Sequence, residues 1–184
     1  SEIRYLLFSH GFGIVWLSQT VGDVKLFINE FRNRSIDMFK QEWKSSLDSS
    51  SRYEYYRSFK TLLAPAKYLS FITDFRLRTL LVKYRLGLLS LMVNEGRKTS
   101  VQKENRLCIL CNLGIENEIH FTFICPIYQE LRQKYLPHSL AKEPIHAFSS
   151  VLMSSNETVI MQLSLYIKHA LAKRDCLIKQ TVIP

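Results

Sequence analysis

Glycine and proline are scarce in this chain, six and five among 184 residues. A β-sandwich or barrel makes a turn every ten residues or so, at about 8–12-residue spacing, and leans on both residue types to do it. Their shortage points to helices. Cysteine is also too sparse and too unevenly placed for a secreted disulfide framework, with three of the four crowded into one stretch. A reducing, intracellular setting is therefore expected. Nothing resembles a signal peptide, and the apolar run from Tyr5 to Leu17 is interrupted by His10, Gly11 and Gly13. That run is too short to cross a bilayer, so it is expected in the core and no membrane partner is expected. Aspartates are few and stand far apart, at positions 23, 37, 48, 74 and 175. A polymerase holds two metal ions on paired aspartates, and the chain has no Tyr-x-Asp-Asp, no Ser-His-Asp set and no phosphate-cradling glycine loop. We expect this piece to be no enzyme and to take no small-molecule substrate. Acidic residues fall short of basic ones, 16 against 25, for a net charge of +9. That balance leans toward polyanionic partners, RNA or DNA. A first residue that is Ser1 rather than methionine suits a piece of a longer polypeptide.

What the chain does have is one dense group of metal-ligating types. Cys108 and Cys111 are followed by His120 after eight residues and by Cys125 after four more, with Pro126 next. The pattern C-x2-C-x8-H-x4-C offers four ligands of the kind that hold one tetrahedral zinc ion. Four protein ligands leave no open position for water, so such a zinc is structural. The second half of the pattern carries a geometric demand. On an ideal helix, residues five apart point about 140° away from each other, and on a strand they face opposite sides. The chain must break direction between His120 and Cys125. Pro126 supplies the reason, because proline favours the first position of a new helix and puts Cys125 at its cap.

The rest reads as helices. One covers residues 2–17, broken at Gly11 and Gly13, with Trp16 and Leu17 as anchors; a second runs from the cap Asp23 to Leu47. Its packing stripe is Val24, Phe27, Ile28, Phe31, Met38, Trp43 and Leu47. Ser51 and Glu54 form a capping box for a third helix, Arg52 to Leu63. Asp74 to Leu89 carries two apolar stripes on opposite sides, Leu77, Leu80, Leu81, Tyr84 and Leu88 against Phe75, Val82 and Leu86. A helix apolar on two faces belongs at the centre of a domain. Residues 94–107 then form a polar loop with Arg97, Lys98, Lys103 and Arg106, expected to contact phosphate or to offset the negative charge of a Cys3His zinc centre. Helices from Pro126 to Leu136, from Glu143 to Met153, and from Ser155 or Asn156 to Lys179 complete the chain, the last burying Val159, Leu163, Ile167, Ala170 and Leu171. Cys176 falls off that stripe and His169 is remote from the motif, so neither is expected as a ligand. The expected fold is all-α, with the zinc unit set between a central helix and C-terminal helices. Its expected parts are an N-terminal helical part, 1–93, a zinc-binding unit with its basic loop, 94–136, and C-terminal helices, 137–184, on the same core.

Several runs together carry a likeness: Arg85-Leu86-Gly87, Gly96-Arg97, Glu104-Asn105-Arg106-Leu107-Cys108-x2-Cys111, and Glu118-x-His120-Phe121-x3-Cys125-Pro126-x-Tyr128. They resemble the zinc-binding region that follows the reverse transcriptase domain in non-LTR retrotransposon polyproteins. The likeness covers about residues 76 to 136, roughly a third of the chain. It implies that Cys108, Cys111, His120 and Cys125 bind one zinc ion. It also implies an all-helical region that helps the element's protein engage RNA or target DNA during target-primed reverse transcription. The parent would be an RNA-directed DNA polymerase, its polymerase domain a partner within the same polypeptide, and the setting nuclear. The eight-residue spacing before His120 separates the motif from retroviral zinc knuckles, which have four. The rival expectation is a scaffold that packs on the polymerase domain and touches no nucleic acid.

Overall fold

The computed structural model describes residues 1–137 and 144–182. Among the described residues the chain is helical, and its only extended pairing is a single antiparallel bridge between Leu107 and Ile115. The all-α expectation holds. Two compact units divide the chain, Ser1–Ser50 and Ser51–Pro184, so the three-part division read from the sequence cuts through the second unit.

The first unit holds α1 (Glu2–Ser9), α2 (Gly13–Ser18) and α3 (Val24–Ser49). Gly11, at φ +84°, makes the corner between α1 and α2. Asp23 caps α3 as expected, its carboxylate accepting from the N–H groups of Lys25 and Leu26 at 2.8 and 3.0 Å. His10 and Phe12 from the corner pack on Phe27 and Phe31 of α3. The long stripe expected on α3 is narrower than its periodicity: Val24 and Ile28 are exposed, while Phe27, Phe31, Met38, Trp43 and Leu47 are half-buried or buried. The apolar run of α1 and α2 is only partly core: Leu7 is buried and Trp16 half-buried, while Tyr5, Ile14 and Leu17 are exposed. Two short helices joined at a tight corner turn only part of their surface inward, and Phe12 rather than Leu17 is the anchor.

The second unit carries the metal-ligating residues. The helix expected from Arg52 is a 3-10 turn, Ser51–Tyr53, followed by the single-turn α4 (Tyr56–Phe59). The capping box is not formed, and the Glu54 carboxylate lies instead beside Lys103 at 3.1 Å. Tyr55 and Phe59 meanwhile turn their rings onto Phe148. Long-range aromatic packing overrides local preference here. A second single-turn helix, α5 (Tyr68–Phe71), leads to α6 (Phe75–Arg85). Asp74 caps α6 through the N–H groups of Arg76 and Leu77 at 2.7 and 3.2 Å. The helix stops at Arg85, earlier than the sequence pattern. Gly87 takes φ +62°, and the Leu88 N–H returns to the Lys83 carbonyl at 2.7 Å, a left-handed helix stop. Leu77, Leu81 and Tyr84 are buried, but of the opposite stripe Val82 and Leu86 are only half-buried and Phe75 is exposed. One face of α6 therefore dominates, and it packs on the long C-terminal helix α10 (Glu157–Val182).

The polar stretch expected as a loop opens instead with α7 (Met92–Lys98). Its buried side holds Val93, Asn94 and Gly96. After the metal-binding segment come α8 (Gln129–Tyr135), α9 (Pro144–Met153) and α10. Pro137 follows the end of α8 as read, and the expected start of α9 at Glu143 lies outside the described residues. Asn156 starts α10 by accepting from Thr158 and Val159. One core unites α4, α5, α6, α8, α9, α10 and the metal-binding segment, through residues such as Phe59, Leu81, Tyr84, Phe121, Tyr128, Phe148, Leu163 and Tyr166. No helix among the described residues is long and apolar enough to cross a membrane.

Candidate metal centre

The first pair of ligands sits on a knuckle closed by its own backbone. The Leu107–Ile115 bridge brings the two ends of the segment together, and Cys108 N–H donates to the Gly114 carbonyl at 2.8 Å. Within the turn, Asn112 N–H donates to the Cys108 carbonyl at 2.8 Å, and Asn112 adopts φ +55°. Asparagine tolerates that left-handed conformation better than most residues. It is Asn112, not Gly114, that takes the special backbone of the turn.

His120 and Cys125 solve the spacing problem with a π-helical turn, His120–Ile124. The turn starts where the Asn117 side chain accepts from His120 N–H at 2.8 Å, capping the segment. Cys125 N–H then donates to the His120 carbonyl at 2.8 Å, an i to i+5 bond. A loop of that size returns the fifth residue close to the first, which an α-turn does not do. Cys125 leaves the turn extended, at ψ 123°, and Pro126 opens a 3-10 turn that feeds α8. The expected break and the expected role for Pro126 are both present.

The result is a cluster in which the ligand atoms of Cys108, Cys111, His120 and Cys125 all lie within 4.8 Å of one another. Cys111 Sγ and His120 Nε2 are 3.3 Å apart. A tetrahedral ion with metal–sulfur bonds of about 2.3 Å and metal–nitrogen bonds of about 2.0–2.1 Å needs ligand separations of about 3.5–3.8 Å. The cluster is of that size and could hold a metal ion. Cys108, His120 and Cys125 are buried and Cys111 is half-buried. The thiols compete for protons. Cys125 donating to Cys108, with help from His120 and the N–H groups of Cys111 and Leu110, pushes the Cys108 thiol far below its ordinary range. Cys108 and burial push Cys125 the opposite way. Three sulfurs and an imidazole at this separation fit one cation, which would take the sulfurs as thiolates and release their protons.

Around the cluster is a set of polar ties that periodicity does not reveal. Glu116, wholly buried, takes both ends of the Arg174 guanidinium, with Nε to Oε1 and Nη2 to Oε2 each at 2.8 Å. Its Oε2 also accepts from Met92 N–H at 2.8 Å, and Cys108 Sγ lies 3.9 Å from Oε1. Arg174 belongs to α10, so this pair fastens the last helix to the metal-binding segment. Tyr84 of α6 and Thr122 share a hydrogen bond at 2.6 Å, and Tyr166 of α10 donates to the Phe121 carbonyl at 2.6 Å. Arg132 donates to the Cys125 carbonyl at 2.7 Å. Glu118 is buried next to Asn94, and burial raises its carboxyl above the ordinary range. A single acidic residue between helical segments looks like a cap in a sequence. Only the fold shows Glu116 meeting an arginine 58 positions away.

The four basic residues read as phosphate contacts divide into two kinds. Arg106 is half-buried and spends its guanidinium on the carbonyls of Val93 and Val101, at 2.6–3.1 Å. Arg97, also half-buried, bonds the Asn94 side chain and the Ser51 carbonyl. Lys98 and Lys103 are exposed and lie beside Glu95 and Glu54 at 2.8 and 3.1 Å. Cys176 is free and exposed. His169 stacks on Tyr135, with centroids 5.1 Å apart. Both stand apart from the ligand cluster, as expected. Compared with protein-family models, curated proteins and solved structures, the chain has no match.

Proposed function

We propose that this chain is a zinc-stapled helical domain that binds nucleic acid without catalysing a reaction, as part of a retroelement reverse transcriptase protein. The observation that carries the reading is the closed four-ligand cluster of Cys108, Cys111, His120 and Cys125. Three sulfurs and one imidazole nitrogen suit zinc, and a tetrahedral zinc with four protein ligands has no position left for a reacting water. Zinc supplies a crosslink there, tying the knuckle to the π-turn. The protein's own residues do the rest. Glu116 and Arg174 tie that crosslink to α10, and Tyr84 and Thr122 tie it to α6. Net charge of +9 supports a polyanionic partner, RNA or DNA. Within this reading Lys98 and Lys103 make the phosphate contacts, while Arg97 and Arg106 shape the ground they stand on. The setting is the nucleus, and the reverse transcriptase domain of the same polypeptide is the neighbour.

One observation favours the rival reading, a scaffold that packs on the polymerase domain. Every one of the four basic residues already has a partner within the protein. The lysine pairs are exposed, however, and exposed ion pairs are weak enough to exchange for phosphate. Filter binding of RNA and DNA at about 50 and 200 mM salt separates the two. Nucleic-acid binding predicts a steep fall with salt and a further loss in K98E/K103E with an unchanged melt. Binding that ignores salt, or that survives K98E/K103E intact, refutes the nucleic-acid reading.

A further inference from the structure

Away from the metal cluster, α4, α5, the end of α6 and the α9–α10 junction enclose a cavity of about 290 Å³. Its lining includes Lys60, Lys67, Arg85 and Ser155, with Phe59 and Tyr68 as aromatic wall. That volume is just under the usual range of ligand pockets, about 300–1,000 Å³, room for a small ligand.

Arg85 is the informative residue. It is 7% exposed, yet among the described residues no carboxylate pairs with it. One N–H donates to the Leu152 carbonyl at 2.7 Å. The guanidinium carbon otherwise lies over the rings of Phe59 and Tyr68, at 4.6 and 5.1 Å from their centroids. Among the described residues the Leu152 carbonyl is the one hydrogen-bond partner of the guanidinium, and its other donors are not sealed from solvent. Elsewhere in this unit the buried guanidinium of Arg174 is met by a carboxylate, which is the usual rule for buried charge. Burial lowers the Lys60 ammonium below its ordinary range, and repulsion from nearby Arg85 adds to the effect. Lys67, also on the lining, donates to the Ser155 hydroxyl at 3.0 Å. Arg85, Lys60, Lys67 and the Ser155 hydroxyl thus line one concave site with an aromatic wall; the Lys60 ammonium donates there to the Ala64 carbonyl, a neutral partner that a phosphoryl oxygen can replace, and among the described lining residues there is no acid.

The geometry points to a binding site for a terminal phosphoryl group on a nucleoside, either a free mononucleotide or the 5′ end of a nucleic-acid strand. Arg85, Lys60 and Lys67 receive the phosphoryl oxygens, and the Ser155 hydroxyl donates to one of them. The open edge of the aromatic wall lies alongside the nucleoside. This goes beyond the proposed function, because phosphate contacts along a backbone need no pocket and no buried cation.

The test uses the full metal-loaded chain, with adenosine monophosphate, adenosine, and an RNA oligonucleotide carrying either a 5′-phosphate or a 5′-hydroxyl. The expected result is a preference of about tenfold or more for one phosphorylated ligand over its unphosphorylated twin, since charge-assisted bonds supply that discrimination. Which ligand shows the preference identifies the source. In K60Q/K67Q the preference falls to about threefold or less. If that double variant melts lower, K67Q alone carries the test, with an intermediate loss. Equal binding of both twins in both pairs, or a preference that survives in K60Q/K67Q, overturns the assignment. Salt-dependent binding of the 5′-hydroxyl RNA reports on the proposed function separately, so the two can fail independently.

Discussion

Replacing Arg174 by methionine tests whether the metal-binding segment and the last helix are held by one buried charge pair. The substitution keeps an unbranched side chain of similar length and removes two bonds of 2.8 Å. It leaves the Glu116 carboxylate with no exposure to solvent, one N–H from Met92, and the Cys108 sulfur 3.9 Å away. Removing one partner of a buried ion pair costs about 3–5 kcal/mol, mostly because the other charge is stranded. A metal bound by three thiolates and an imidazole would carry net negative charge nearby, which places R174M toward the upper end. With roughly 2–4 °C lost per kcal/mol for a chain of this size, the melting temperature should fall by roughly 6–20 °C. Urea titration of the metal-loaded protein measures the free energy, and calorimetry the temperature. The partner variant E116Q and the double E116Q/R174M complete a cycle. The double should be less destabilised than the sum of the singles by about 2 kcal/mol or more, because it strands no charge. A loss below about 1 kcal/mol in R174M, or strict additivity, would show that the pair does not fasten α10.

Other consequences are as specific. The purified protein should carry one metal ion per chain by elemental analysis, and chelation or C111S should lower its melting temperature sharply, since structural zinc sites supply folding energy directly; equal melts with and without chelator would refute the crosslink. Burial holds the Glu118 carboxyl above its unfolded value, so the stability it costs is absent at low pH, accrues as pH rises from the ordinary carboxylate range to the raised value, and is constant above it. E118Q should match the wild type near pH 4 and exceed it near pH 7, and urea melts at the two pH values decide this. Y84F leaves the buried Thr122 hydroxyl without its 2.6 Å partner and should cost about 1–3 kcal/mol, partly restored in Y84F/T122V; equal stability of Y84F and the wild type would discount the tie. G87A forces a side chain onto φ +62° with a Cβ only 3.0 Å from the Arg52 carbonyl and should lose about 1–2 kcal/mol or more from the backbone alone.

Much of this is legible in the amino-acid sequence alone. The spacing of Cys108, Cys111, His120 and Cys125 announced a cluster, and the mismatch of a five-residue step with α geometry announced the break that Pro126 closes. Asp23, Asp74 and Asn156 marked helix starts because their side chains bond their own next turns, a purely local interaction. What stayed hidden depends on distant neighbours. The capping pattern at Ser51 and Glu54 is sound chemistry, but the aromatic contacts of Tyr55 and Phe59 to Phe148 override it. The apolar stripe of α3 overstated its buried width because periodicity measures what a helix can bury, not how much partner surface meets it. Among the basic residues, charge could not separate Arg106, consumed by backbone carbonyls, from Lys98 at the surface. The Glu116–Arg174 pair joins residues too far apart for any local pattern to record.

The π-turn has an effect on how this segment tolerates change. Because the loop from His120 to Cys125 closes on i to i+5 hydrogen bonding, its residue count is fixed more strictly than its composition. Ile124, half exposed within it, can be exchanged for many other side chains. Deleting one residue would convert the turn to α spacing and swing the imidazole away from the sulfurs, and would also move the Phe121 carbonyl out of reach of Tyr166. Length, here, is the constrained variable.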